Sequence, residues 1–153
     1  MVVADASPLI ALQQIDQLEL LRGLFGAVVV PPAVAREVAP SVTLPGWITM
    51  RALQHPVAGE ILRASLGAGE SEAISLAQEL RAAWLLLDER PARRLAQALG
   101  LQVAGTLGLL NRAKKKGLLG AVRPHVEALL QRGFHAAPVL VERILGEAGE
   151  TKA

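Results

Sequence analysis

Residues 83–106 read AWLLLDERPARRLAQALGLQVAGT, and the fold turns on them. Residues 84–87 form an unbroken apolar run that ends in an acid, Asp88, as a strand buried on both faces does. RPARRLAQALG opens with a proline and closes on a glycine, the punctuation of a helix. LQVAGT then returns to a short apolar run. Strand, helix and strand in succession describe a unit whose two strands lie parallel, because the helix carries the chain back across the sheet.

The same alternation extends towards the first residue. VVADAS (residues 2–7) reads as a strand, and PLIALQQIDQLELLRGLFG as one helix with Leu9, Leu12, Ile15, Leu18 and Leu21 at helical spacing. AVVVPP is a second strand, and PAVAREVA a short helix opened by proline and stopped by Pro40. GWITMRAL suits a strand at a sheet edge, PVAGEILRASL a helix, and GESEAISLAQELRA a stronger helix. Beyond Thr106 the pattern is helical. Val126, Leu129 and Leu130, then Val139, Leu140, Ile144 and Leu145, mark two apolar stripes that either fold back on the core or form a dimer surface. The expectation is an α/β protein: a central, mostly parallel sheet with helices on both faces and a helical C-terminal tail. One domain is expected over residues 1–153, with an α/β core at 1–106 and the C-terminal helices at 107–153.

Composition narrows the chemistry. Hydrophobic residues make up 52% of the chain and aromatics only 3%, so Leu, Val, Ile and Ala must build the core. With no cysteine there is no disulfide framework, thiolate zinc site or cysteine nucleophile. No signal-like segment and no membrane-length apolar run is visible, so a soluble cytoplasmic protein with no membrane partner is expected. The net charge of +2 permits contact with nucleic acid without requiring it.

The acids fall at informative places. Asp5 and Asp88 each follow a strand, and in a parallel sheet the carboxyl ends of the strands share one rim. Glu37 lies on the helix after the second strand, and Glu70 and Glu72 open the helix of GESEAISLA. Each has an ordinary explanation: Asp5 or Ser7 as a helix cap ahead of Pro8, Glu70 and Glu72 as partners of a helix dipole, Glu37 as a solvated side chain. Together, several carboxylates at one rim repel one another, and a hard cation is the usual remedy.

As an ordered set these blocks resemble the PIN-domain family, small metal-dependent ribonucleases that include VapC-like toxins. VVADASPLIAL resembles its opening strand, with Asp5 and a small hydroxyl residue, Ser7, two positions on. VVVPPAVAREV resembles its second block, whose glutamate falls on Glu37. GESEAISLA resembles the third, where Glu72-Ala73 stands for the family's Asp-Ala, and LLLDERPARRLAQALGLQV the fourth, with Asp88 in the acidic position. GAGESEAISLA, GTLGLLNRAKKKGLL and GFHAAPVLVERILGEAGE look like a less-studied branch of predicted PIN proteins. The resemblance implies RNA phosphodiester hydrolysis with Mg²⁺ or Mn²⁺, homodimers and, for a toxin, an antitoxin peptide in the active groove. It implies Asp5 and Asp88 as metal ligands, Glu37 and Glu72 completing the pocket, and Ser7 orienting Asp5 or a water. Glu70 and Glu72 point about 200° apart on a helix, so one of them faces the pocket. The acid-Ala step assigns that place to Glu72 and leaves Glu70 near the cap.

Other features bear on the reading. Arg112, Lys114, Lys115 and Lys116 gather at a helix end, where cations favour the helix dipole or contact RNA phosphates. Arg90, Arg93 and Arg94, just past Asp88, are solvated or act likewise. His55, His125 and His135 are scattered and read as surface residues, and Trp47 and Trp84 as packing. No Gly-Lys-Ser/Thr phosphate loop exists, which argues against ATP-driven chemistry. A second reading keeps the fold as a nucleic-acid or protein-binding module with weak or lost catalysis.

Overall fold

The computed structural model describes residues 1–55 and 66–150. Five strands form one all-parallel sheet in the order β3-β2-β1-β4-β5: β1 (Val2–Ala4), β2 (Val28–Val30), β3 (Ile48–Met50), β4 (Trp84–Leu86) and β5 (Val103–Ala104). All three residues of β1 and of β2 are buried. Side chains on a strand alternate between faces, so unbroken burial means that both faces are covered. Eight helices supply that cover among the described residues: α1 (Ala6–Gln14), α2 (Glu19–Phe25), α3 (Pro32–Val38), α4 (Ala68–Leu80), α5 (Arg90–Ala98), α6 (Thr106–Lys115), α7 (Arg123–Gln131) and α8 (Pro138–Glu147). The architecture is the three-layer α/β/α sandwich expected. Strand β3 is an edge, and the short β5 is the other.

One expectation changes in detail, and another lies outside the described residues. The single helix expected over residues 8–26 is two, α1 and α2, because Asp16 adopts a left-handed conformation (φ 56°) between them. Aspartate tolerates that region better than most residues, and the break lets Leu12 and Leu21 both reach the core. The helix expected for PVAGEILRASL falls almost wholly on residues 56–65, outside the described residues.

The core is aliphatic. Leu9, Leu12, Leu21, Ile74, Leu76, Leu85, Leu86 and Leu87 are completely or almost completely buried, and truncating one of them to alanine costs about 2–5 kcal/mol. The tail folds back on this core. Val122, Val126, Leu129, Ile144 and Leu145 are buried, and Asn111 Nδ2 of α6 donates to the Ile144 carbonyl of α8 at 3.1 Å. The end of the tail is clasped as well. Glu150 accepts from Lys114 Nζ (2.8 Å) and from the backbone N–H groups of Val122 (2.7 Å) and Arg123 (3.0 Å) at the opening of α7. These donors hold its carboxyl down at about 2, the Lys114 hydrogen bond contributing most.

Candidate active site at the sheet rim

The strand order fixes where a ligand can bind. From β1 the chain builds outward to β2 and β3, then returns to the other side of β1 with β4 and β5. The switch therefore lies between β1 and β4, and the crevice at their carboxyl ends is where open parallel sheets bind ligands. Asp5 and Asp88 occupy those two ends. The Asp5 N–H donates to the Leu86 carbonyl (2.9 Å) as the last rung of the β1–β4 ladder, and the Leu87 N–H reaches the Ala104 carbonyl (3.0 Å) just before Asp88.

Asp5 occupies the N-cap position of α1, yet among the described residues its side chain makes no capping hydrogen bond. The residue is 2% exposed and its Oδ1 has no hydrogen-bond partner among them. Burial pushes its carboxyl up to about 7. The Ala6 N–H opposes that rise, and the charges of Glu70, Glu37 and Asp88 add to it. A buried carboxylate with an orphaned oxygen, kept company by three other acids, is costly to fold around and requires an explanation.

Asp88 is fixed from the β5 side. The Thr106 N–H donates to its Oδ1 (2.8 Å) and the Thr106 hydroxyl to its Oδ2 (2.7 Å). Burial raises its carboxyl, Thr106 and Arg93 oppose the rise, and Glu89 adds to it. Gly105 makes room for this arrangement, since a Cβ there would collide with the Arg93 guanidinium and crowd the Asp88 carboxylate.

The acids of α3 and α4 are cross-fastened. Glu37, near the end of α3, accepts from the Gly69 N–H of α4 at 3.0 Å, and Glu72 of α4 accepts from the Ala33 N–H of α3 at 2.9 Å. Glu72 is 8% exposed and holds the first turn of α3. Glu70 is the α4 acid whose charge reaches Asp5. It also takes the Gly67 N–H at the N-cap of its own helix, the reach-back of a capping box. Burial raises the Glu70 carboxyl, with Glu89 and Glu37 adding to the rise and Gly67 opposing it. Glu89, the residue after Asp88, is thus a fifth acid at the rim. Ser7 lies in the first turn of α1 and lines a cavity of about 550 Å³ with Asp88, Glu89 and Arg90.

The basic residues divide. Arg90, Arg93, Arg112 and Lys115 line a cleft that begins at Asp88. Lys114 is committed to Glu150, and Lys116 donates to the Leu24 carbonyl at 3.3 Å. The turn between α7 and α8 brings His135 to the same cleft, a placement no local sequence signal announces.

The donor set suits a hard divalent cation: every candidate atom is oxygen, and Asp5 Oδ1 lacks a hydrogen-bond partner among the described residues. As arranged, no three His, Asp or Glu side chains among the described residues stand close enough to ligate one ion together. No helix of the described residues is long and apolar enough to cross a membrane.

An all-parallel α/β/α sandwich with aspartates at both strand ends beside the switch point defines the class: an open-sheet protein with an acidic crevice. The family follows from the sequence as a whole. Residues 1–150 match the model of the PIN domain, and the chain belongs to the PIN-domain family, whose members are in general nucleases acting on nucleic acid with divalent metal ions. No curated protein and no solved structure matches the chain.

Proposed function

We propose that the protein is a Mg²⁺- or Mn²⁺-dependent endoribonuclease whose site is formed by Asp5, Glu37, Glu70 and Asp88. The buried Asp5 Oδ1, without a hydrogen-bond partner among the described residues and in the company of three other acids, carries this reading. Asp5 and Asp88 would hold the ion, with Glu37 and Glu70 completing the negative pocket. The chemistry of a divalent ion held there would be an activated water and a counter-charge for the phosphodiester. Thr106 fixes the Asp88 carboxylate through two hydrogen bonds, so that side chain needs no reorganisation to meet a ligand. Ser7 orients Asp5 or a water from the first turn of α1. Glu72 supports the pocket from behind by holding α3, and Glu37 is positioned by Gly69.

The binding-module reading draws on a different observation. No three of these side chains converge, and both Asp88 oxygens already accept from Thr106. Titration calorimetry with Mn²⁺ decides between the two. An intact site binds Mn²⁺ in the wild type and loses it in Asp5→Asn/Asp88→Asn, and the wild type cleaves RNA only with metal. Equal Mn²⁺ affinity in wild type and double variant would sink the site assignment.

The toxin role, an antitoxin partner, a homodimer and a cytoplasmic location belong to the proposal through the family resemblance. Light scattering of the purified chain tests the dimer, and a monomer at working concentration would remove it.

A further inference from the structure

Helix α6 ends in the run Asn-Arg-Ala-Lys-Lys-Lys, and its cations separate by face. Lys114 turns to Glu150 and the Ala148 carbonyl (2.6 Å), and Lys116 to the Leu24 carbonyl. Arg112 and Lys115, three residues apart, share another face. That face lines a cleft of about 670 Å³ bounded by β5, α6 and α8, with Asp88 at its rim. Five cations line it (Arg90, Arg93, Arg112, Lys115 and Arg143) against two acids, Asp88 and Glu147. Arg143 lies 4.0 Å from Glu147. Arg90, Arg112 and Lys115 have no carboxylate partner among the described residues. The Arg112 guanidinium lies 4.0 Å from the centroid of the Trp84 ring, which fixes its plane and leaves its N–H fork free for an anion. The cleft shares Asp88, Arg90 and His135 with the cavity that Ser7 lines, so the basic surface runs into the acidic rim without a break.

We propose that this cleft binds the sugar–phosphate backbone of a single RNA strand and leads it to Asp88, with Arg112 and Lys115 as adjacent phosphate contacts. The inference rests on the ribonuclease reading for the identity of the strand. The size of the cleft favours a single strand, since 670 Å³ is the scale of a small-ligand pocket and a duplex presents its phosphates on a broad convex surface. Both cations are exposed, so their replacement leaves the core untouched.

The test is fluorescence anisotropy with a labelled, uncleavable 2′-O-methyl oligoribonucleotide in EDTA, read as a function of salt. Arg112→Ala/Lys115→Ala should weaken binding about tenfold or more and flatten the salt slope by about 1.4, two contacts at roughly 0.7 each. Arg22→Ala, an exposed cation paired with Glu19, should bind as wild type. Melting temperatures check the fold, and Lys115→Ala alone, with about half the slope change, serves if the double variant unfolds. Unchanged affinity and slope in the cleft variants, or equal binding of a duplex of the same sequence by the wild type, overturns the proposal. A chain that cleaves RNA but ignores the cleft substitutions refutes the cleft alone. A chain that never cleaves, yet loses the strand on substitution, refutes the nuclease reading alone.

Discussion

Asp5 carries electrostatic strain at the rim, and the strain has a definite pH signature. Its carboxyl rises from 3.8 to about 7 on folding, so the folded state holds the proton more tightly than the unfolded one. The contribution of Asp5 to stability is therefore greatest below about pH 4, falls as pH rises towards 7, and stays at its low level above that. The shift corresponds to about 4 kcal/mol at most, at 1.36 kcal/mol per unit. Urea denaturation in EDTA at pH 5 and pH 8 should show Asp5→Asn gaining on wild type at the higher pH. An equal difference at both values would contradict the burial of the charge. The two glutamates of α4 are separable by the same means. Glu72→Gln should cost about 1 kcal/mol, because the amide oxygen that replaces the carboxylate still accepts from the Ala33 N–H, but less strongly. Glu70→Gln should leave stability nearly unchanged and reduce Mn²⁺ affinity, so a Glu72→Gln variant that keeps its melting temperature and loses Mn²⁺ would restore the register expected from the acid-Ala step.

Among the elements, the tail depends on the Glu150 clasp. Its carboxyl is lowered from 4.5 to about 2, so its stabilising contribution is present above about pH 4.5 and is lost as pH falls towards 2. Glu150→Gln should lower the melting temperature at pH 7 and converge with wild type near pH 2, as followed by circular dichroism. A constant gap across that range would show that the clasp does not act through charge. The strands and their acids were legible in the sequence because unbroken apolar runs such as Leu85–Leu86–Leu87 identify buried parallel strands, and Asp5 and Asp88 fall one step beyond them. The helix break at Asp16 was hidden, since the apolar spacing continues through it. The fastening of Glu37 to Gly69 and of Glu72 to Ala33 was hidden as well, because the packing of α3 against α4 sets which way each acid turns. The placement of His135 and the division of the lysines arise from the fold-back of α7 and α8, a contact between distant parts of the chain that local pattern does not encode.

For the whole molecule, the crowding of acids predicts a strong response to metal. A divalent ion that binds only the folded state stabilises it by about 2.7 kcal/mol at a hundred times its dissociation constant. Thermal melts with increasing Mn²⁺ should rise accordingly for the wild type and stay flat for Asp5→Asn/Asp88→Asn. A rise of equal size in both would place the ion elsewhere.

The cross-fastening of α3 and α4 has a consequence for inheritance. A methyl group at position 69 would collide with the Glu37 carboxylate, so any side chain there must displace the acid that uses the Gly69 N–H. That carboxylate ends a flexible side chain and can swing aside, so a substitution at 69 would disturb the seat of the acid rather than the fold. In descendants of the ancestor that gave this chain, loss of glycine at 69 should appear together with a shorter or different residue at 37, and a lineage that keeps the glutamate should keep the glycine.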